Sequence, residues 1–138
     1  MPISADLLFD TSAALALLTG DHPSHDAVLT LRRGKVLGLS GHAAAETYSV
    51  LTRMPGAGRL TPSAAREAIL RAFPASVALS PAASLAAVET LATAGIAGGA
   101  VYDGLVALAA REAGIPLLSC DRRALPIYAT LGVEVRVV

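Results

Sequence analysis

The sequence predicts a single α/β domain with a mainly parallel sheet covered by helices on both faces. Three observations carry this. Short apolar runs such as Leu7-Leu8-Phe9, Val36 to Ser40 and Leu117-Leu118 have the length of fully buried strands. Stretches with apolar residues at helical spacing separate them, so strand and helix alternate along the chain. Start and stop signals frame the helices: Asp10-Thr11-Ser12 and Thr61-Pro62-Ser63 where helices begin, Gly114 followed by Pro116 where one ends.

Taken in order, Leu7 to Phe9 is a strand, and Asp10-Thr11-Ser12 caps a helix over Ala13 to Leu18 that Thr19-Gly20 stops. His22-Pro23-Ser24 opens a second helix, with Ala27, Val28 and Leu31 apolar and Arg32-Arg33-Gly34 closing it. Val36 to Ser40 is the second strand. A helix follows from about His42 to Arg53, its apolar face interrupted by Glu46, and Pro55-Gly56-Ala57-Gly58 is a loop. Thr61 then caps a helix reaching Phe73-Pro74, with proline at its first position. Val77 to Leu79 reads as a third strand and Pro81 to Ala94 as a helix, with Gly95 to Gly99 as a hinge. The helix ending at Ala113 carries Leu105, Leu108 and Ala109, and Val106 and Ala110, at helical spacing. Leu117-Leu118 is a buried strand. Leu125 to Leu131 is a short helix, and Val133 to Val138 alternates as a last strand, the fifth.

Composition narrows the function. The 138 residues make one domain with a sizeable core, 54% hydrophobic and with mean hydropathy +0.58, yet no apolar run approaches a membrane span. Much of the apolar content is alanine, which suits tightly packed helices and a further buried face in an oligomer, so a homodimer is expected. Eleven basic and 11 acidic residues balance, without the basic footprint of a constitutive nucleic-acid binder. Asp6 and Asp10 interrupt the N-terminal apolar stretch and argue against a signal peptide. The single cysteine, Cys120, excludes an intrachain disulfide and suits a reducing cytosol; the expected location is cytoplasmic.

The chemistry lies with the acids. Asp10 ends the first strand, Asp121 ends the strand after the helix that stops at Ala113, Asp103 lies in that helix's first turns, and Glu46 lies in the helix after the second strand. In open α/β sheets, sites form outside the carboxyl ends of strands, so all four are expected near one edge. Each acid also has a structural role open to it: Asp10 as a helix cap, Asp103 as a first-turn acid, Asp121 in a turn or an ion pair with Arg122 or Arg123, Glu46 as an exposed helix residue. Four carboxylates together repel one another unless a cation sits among them, and hard oxygen donors favour Mg²⁺ or Mn²⁺. Such a site suits phosphodiester hydrolysis. Thr11 and Ser12 are candidates to hydrogen-bond a carboxylate or the phosphate, or simply to cap the helix. Arg122, with Arg123, is a candidate phosphate holder, or part of a solvated face.

The residues Leu8-Phe9-Asp10-Thr11-Ser12, Glu46 with Leu51 and Arg53, Tyr102-Asp103-Gly104-Leu105, and Leu118-Ser119-Cys120-Asp121-Arg122-Arg123 resemble the PIN-domain ribonucleases, and within them the VapC-type toxins of bacterial type II toxin–antitoxin systems. The resemblance spans nearly the whole chain in order and spacing. It implies a PIN-like domain with a parallel sheet of about five strands, and an Mg²⁺-dependent (or Mn²⁺-dependent) endoribonuclease. It implies a quartet of metal-binding, catalytic carboxylates at Asp10, Glu46, Asp103 and Asp121, an RNA substrate and a cognate antitoxin. The acid pocket is also a receptor for a guanidinium, so an antitoxin arginine is expected there. Gly104 and Cys120 are local variations, and Cys120 beside Asp121 suggests oxidation sensitivity.

Two other readings stand beside this one. A haloacid-dehalogenase-like phosphohydrolase also places an aspartate after strand one, but Ser12 occupies the place of that class's second aspartate. A non-catalytic binding module would use the acids only as caps. With Lys35 the only lysine, phosphate-cradling P-loop chemistry has no support, and His22, His25 and His42 lack a metal-binding spacing.

Overall fold

The computed structural model describes residues 3–138, and its chain path is set by four short strands that pair in parallel. β1 (Leu7–Phe9), β2 (Leu37–Leu39), β3 (Leu117–Ser119) and β4 (Val135–Val137) form one sheet in the order β2-β1-β3-β4. The seven α-helices among the described residues are α1 (Thr11–Leu18), α2 (His25–Leu31), α3 (Ala43–Arg53), α4 (Pro62–Ala72), α5 (Pro81–Thr93), α6 (Ala100–Ala113) and α7 (Leu125–Thr130). The chain passes from β1 through α1 and α2 to β2 on one side. It then returns through α3 to α6 to β3, on the other side of β1. The topology therefore reverses between β1 and β3, and the crevice beyond their carboxyl ends is where a doubly wound sheet forms its site.

The core is split by the sheet. Leu7 and Phe9 point to one side with Leu118, and there meet Ala13, Ala14, Ala16, Val28 and Phe73. Leu8 and Leu117 point to the other side, among Val106, Ala107, Leu108, Ala110 and Tyr128. This alternation is the period of two that a strand imposes, here with both faces buried. Phe9 and Phe73 meet edge to face, with centroids 5.2 Å apart. Alanines fill the buried faces of α1 and α6, where small side chains let helices lie close to the sheet, so much of the alanine is taken up by the chain's own packing.

The third expected strand, Val77 to Leu79, is not one. It forms a single parallel bridge, Ser40 with Val77, so the sheet has four strands rather than five. The segment does run beside β2: the Ala75 N–H donates to Leu37 O and the Val77 N–H to Leu39 O, each at 3.0 Å. The Leu39 N–H, however, donates to Ser76 Oγ at 2.8 Å, so a side chain takes the place a ladder carbonyl would hold. Gly38 permits this approach, because a Cβ there would lie 2.1 Å from the Ala75 carbonyl oxygen. The remaining differences are at ends. α1 begins at Thr11 because Asp10 is itself the cap, and β4 covers Val135–Val137 within the expected 133–138. Gly114, at φ 68°, terminates α6 as expected.

Candidate active site at the β1–β3 crevice

Asp10 is the fixed point of the site. It follows β1, its N–H donates to Leu118 O at 3.1 Å, and only 3% of its surface is exposed. One carboxylate oxygen, Oδ1, accepts from the Ala13 N–H at 2.9 Å and from Ser12 Oγ at 2.6 Å. The other, Oδ2, accepts from the phenol of Tyr128 at 2.8 Å. The expected cap role and the expected site position thus belong to the same carboxylate. Tyr128 is fully buried, and burial together with the Asp10 charge pushes its phenol well above the ordinary value. The proton therefore stays on the phenol and the hydrogen bond stays polarised toward Asp10.

Ser12 is a bridge. Its hydroxyl donates to Asp10 and accepts from the Cys120 N–H at 2.9 Å, joining the start of α1 to the end of β3. Thr11, half-buried at the first position of α1, lines the cleft. Asp121 caps the 3₁₀ turn Arg122–Ala124, accepting from the Arg123 N–H at 3.0 Å. The cation beside it is Arg123, with Nε 3.3 Å from Asp121 Oδ1, while Arg122 is exposed. With Arg123 itself 93% exposed, this pair adds little to stability.

The four acids line one cleft of about 220 Å³, walled also by Tyr102 and Tyr128. They arrive from four places: the end of β1, the first turn of α3, the first turn of α6 and the end of β3. Their mutual field registers on Asp103, whose pKa is raised above 3.8 first by burial, then by the charges of Asp121, Asp10 and Glu46, against a lowering by Arg123. The thiol of Cys120 is also pushed up, by burial and by Asp10, which disfavours the thiolate that oxidants attack. Glu46 pairs loosely with His42, 3.7 Å away and one turn earlier.

A family model for the PIN domain matches residues 7–129 of the chain. The chain belongs to the PIN-domain family. Its relatives within that family carry VapC names: ribonuclease VapC27 of Mycobacterium tuberculosis is 44% identical over 129 residues, covering 94% of each chain. Ribonuclease VapC40 of the same organism is 42% identical over 132 residues, 94% of this chain and 96% of the relative. The fold agrees with that of M. tuberculosis VapC20, a Sarcin-Ricin loop cleaving toxin, at TM-score 0.67 and 21% identity over 87% of this chain and 93% of that one. It also agrees with VapBC2 from Rickettsia felis, solved on a DNA fragment, at TM-score 0.68 and 13% identity over 96% and 98%. In this VapC-type PIN domain, Tyr128 is the site residue that sequence reasoning missed. It lies 118 residues from Asp10 and reads locally as a core aromatic of a short helix.

Proposed function

We propose that the chain is a metal-dependent endoribonuclease, the toxin of a toxin–antitoxin pair, which hydrolyses RNA phosphodiester bonds in the cleft of Asp10, Glu46, Asp103 and Asp121. The observation that carries this reading is the gathering of four acids from distant elements at the β1–β3 crevice, with Asp103 raised in pKa by burial and then by the other three charges. The ribonuclease names of the relatives support the reaction class. Membership in the PIN family sets aside the haloacid-dehalogenase alternative.

The residues fit Mg²⁺ or Mn²⁺ by chemistry and by charge. All four donors are carboxylates, and a cation relieves the repulsion felt at Asp103. Among the described residues no three acids, histidines or cysteines are gathered closely enough to ligate one ion as they stand. Mg²⁺ does not require that, since it commonly takes one or two carboxylates and completes its shell with water and substrate phosphate. Asp10 and Asp103 would hold the ion, with Glu46 and Asp121 at its flanks. When bound, the ion supplies charge neutralisation at the phosphate and acidifies water. The protein's own part is positional. Ser12, the Ala13 N–H and Tyr128 hold the Asp10 carboxylate in one orientation, and the arginines at 122 and 123 offer phosphate contacts beside Asp121. Thr11 lines the same cleft.

The test is cleavage of total RNA by purified protein with Mg²⁺, with Asp10→Asn and Asp103→Asn as controls. Cleavage lost in both variants, with unchanged folding, supports the reading; undiminished cleavage by Asp103→Asn overturns it. The acid cleft is also the receptor we assign to an arginine from the antitoxin, so inhibition should weaken as Mg²⁺ rises. No helix among the described residues is long and apolar enough to cross a membrane. A homodimer remains our reading of assembly, and Leu85 and Val88 of α5 stand 87% and 80% exposed.

A further inference from the structure

The acid cleft has a neighbour. A second groove of about 390 Å³ adjoins it, and Glu46 and Tyr102 line both. Its floor is one face of α3 and the residue before it: His42, Ala45, Glu46, Ser49 and Arg53 recur at helical spacing. From His42 to Arg53 that face runs about 16 Å. At the end beside the acids, the rings of His42 and Tyr102 stack, centroids 4.9 Å apart and planes 29° from parallel. Tyr102 nonetheless keeps 52% of its surface exposed, although it stands in the first turn of α6, next to Asp103. At the far end Arg53 forms no salt bridge among the described residues.

A half-exposed aromatic ring braced from one side and open from another contributes little to a core. It suits a flat, apolar partner that arrives from solvent. An unpaired guanidinium at the other end of the same groove suits a phosphate. Single-stranded nucleic acid supplies both groups along one backbone, and bases stacked in a duplex do not expose a face to such a ring. We propose that Tyr102, braced by His42, is a stacking platform for an unpaired base of the RNA next to the cleaved phosphate, and that Arg53 holds a phosphate further along the strand. This rests on the ribonuclease reading above and names the form of RNA the site accepts. It also accounts for how a chain of zero net charge holds a polyanion beside four acids, since base stacking adds affinity that is independent of charge.

The experiment compares two probes by fluorescence anisotropy in EDTA: labelled single-stranded polyadenylate, and an abasic ribose-phosphate strand of equal length and charge. Tyr102→Ala should weaken polyadenylate binding by about 5- to 150-fold, the cost of one lost stacked base, and leave the abasic strand unaffected. Tyr102→Phe should bind both strands as the wild type does. Arg53→Ala should weaken both strands alike and lower the salt dependence by about one phosphate. Because the chain has no tryptophan, Tyr102→Trp gives a single indole whose fluorescence polyadenylate should quench and the abasic strand should not. Equal loss of both probes in Tyr102→Ala, or no loss of either, overturns the platform. Wild-type protein that cleaves total RNA in Mg²⁺ while the Tyr102 variants behave in that way sinks this inference alone. Wild-type protein that neither cleaves RNA nor binds polyadenylate sinks both readings.

Discussion

Replacing Tyr128 by phenylalanine removes one oxygen and leaves the ring that fills the core. The hydroxyl donates to Asp10 Oδ2 at 2.8 Å, with the tyrosine fully buried and the aspartate 3% exposed. Hydrogen bonds to charged acceptors contribute about 1.5–3 kcal/mol, and this one leaves a buried carboxylate oxygen without a partner when it goes. For a chain of 138 residues the unfolding entropy near the midpoint is about 0.29 kcal/mol/K, so the melting temperature should fall by about 5–10 °C. Function should suffer as well, because Ser12 and the Ala13 N–H then hold Asp10 through Oδ1 only, and the carboxylate is free to turn. Loss of such an orienting partner commonly costs about 10- to 100-fold in metal affinity or activity. Thermal melts followed by circular dichroism and Mn²⁺ titration by calorimetry read the two effects separately. A variant melting within about 2 °C of wild type, with Mn²⁺ affinity within about twofold, would refute the claim that Tyr128 orients Asp10.

Two further outcomes follow from the same geometry. Asp103 has its folded pKa raised above 3.8, so the favourable contribution of its protonated form is full below the ordinary carboxylate value and is lost as pH rises through the folded value. In EDTA at neutral pH, Asp103→Asn should therefore melt above wild type, and the gap should close on acidification. A pH-independent gap, or wild type melting higher at neutral pH, would show that burial and repulsion do not raise Asp103 above the ordinary carboxylate value. Gly38→Ala should destabilise by about 3 kcal/mol or more in urea titration, because the new Cβ would sit 2.1 Å from a main-chain oxygen and the 75–77 segment must leave β2. A cost under about 1 kcal/mol would mean that segment moves freely.

What the sequence determined by itself was local. Buried strands read as apolar runs, caps and helix stops read as Asp10, Thr61 and Gly114, and the acids read as residues just past strand ends or within first helical turns. Those features depend on a few neighbouring residues, which is why Asp10, Glu46, Asp103 and Asp121 were legible as candidates before any fold was known. Tertiary structure decided the rest, because it turns on pairs distant in sequence. Ser76 reaches the Leu39 N–H across 37 residues and reduces an expected strand to one bridge. Tyr128 reaches Asp10 from a helix whose own pattern shows only a core aromatic. Ser12 is drawn across to Cys120, 108 residues along the chain. His42 and Tyr102 stack only because the starts of α3 and α6 come together at the cleft. Periodicity and capping act within a turn or two of chain, whereas hydrogen bonds and stacks across the crevice exist only once the sheet has brought its strands side by side.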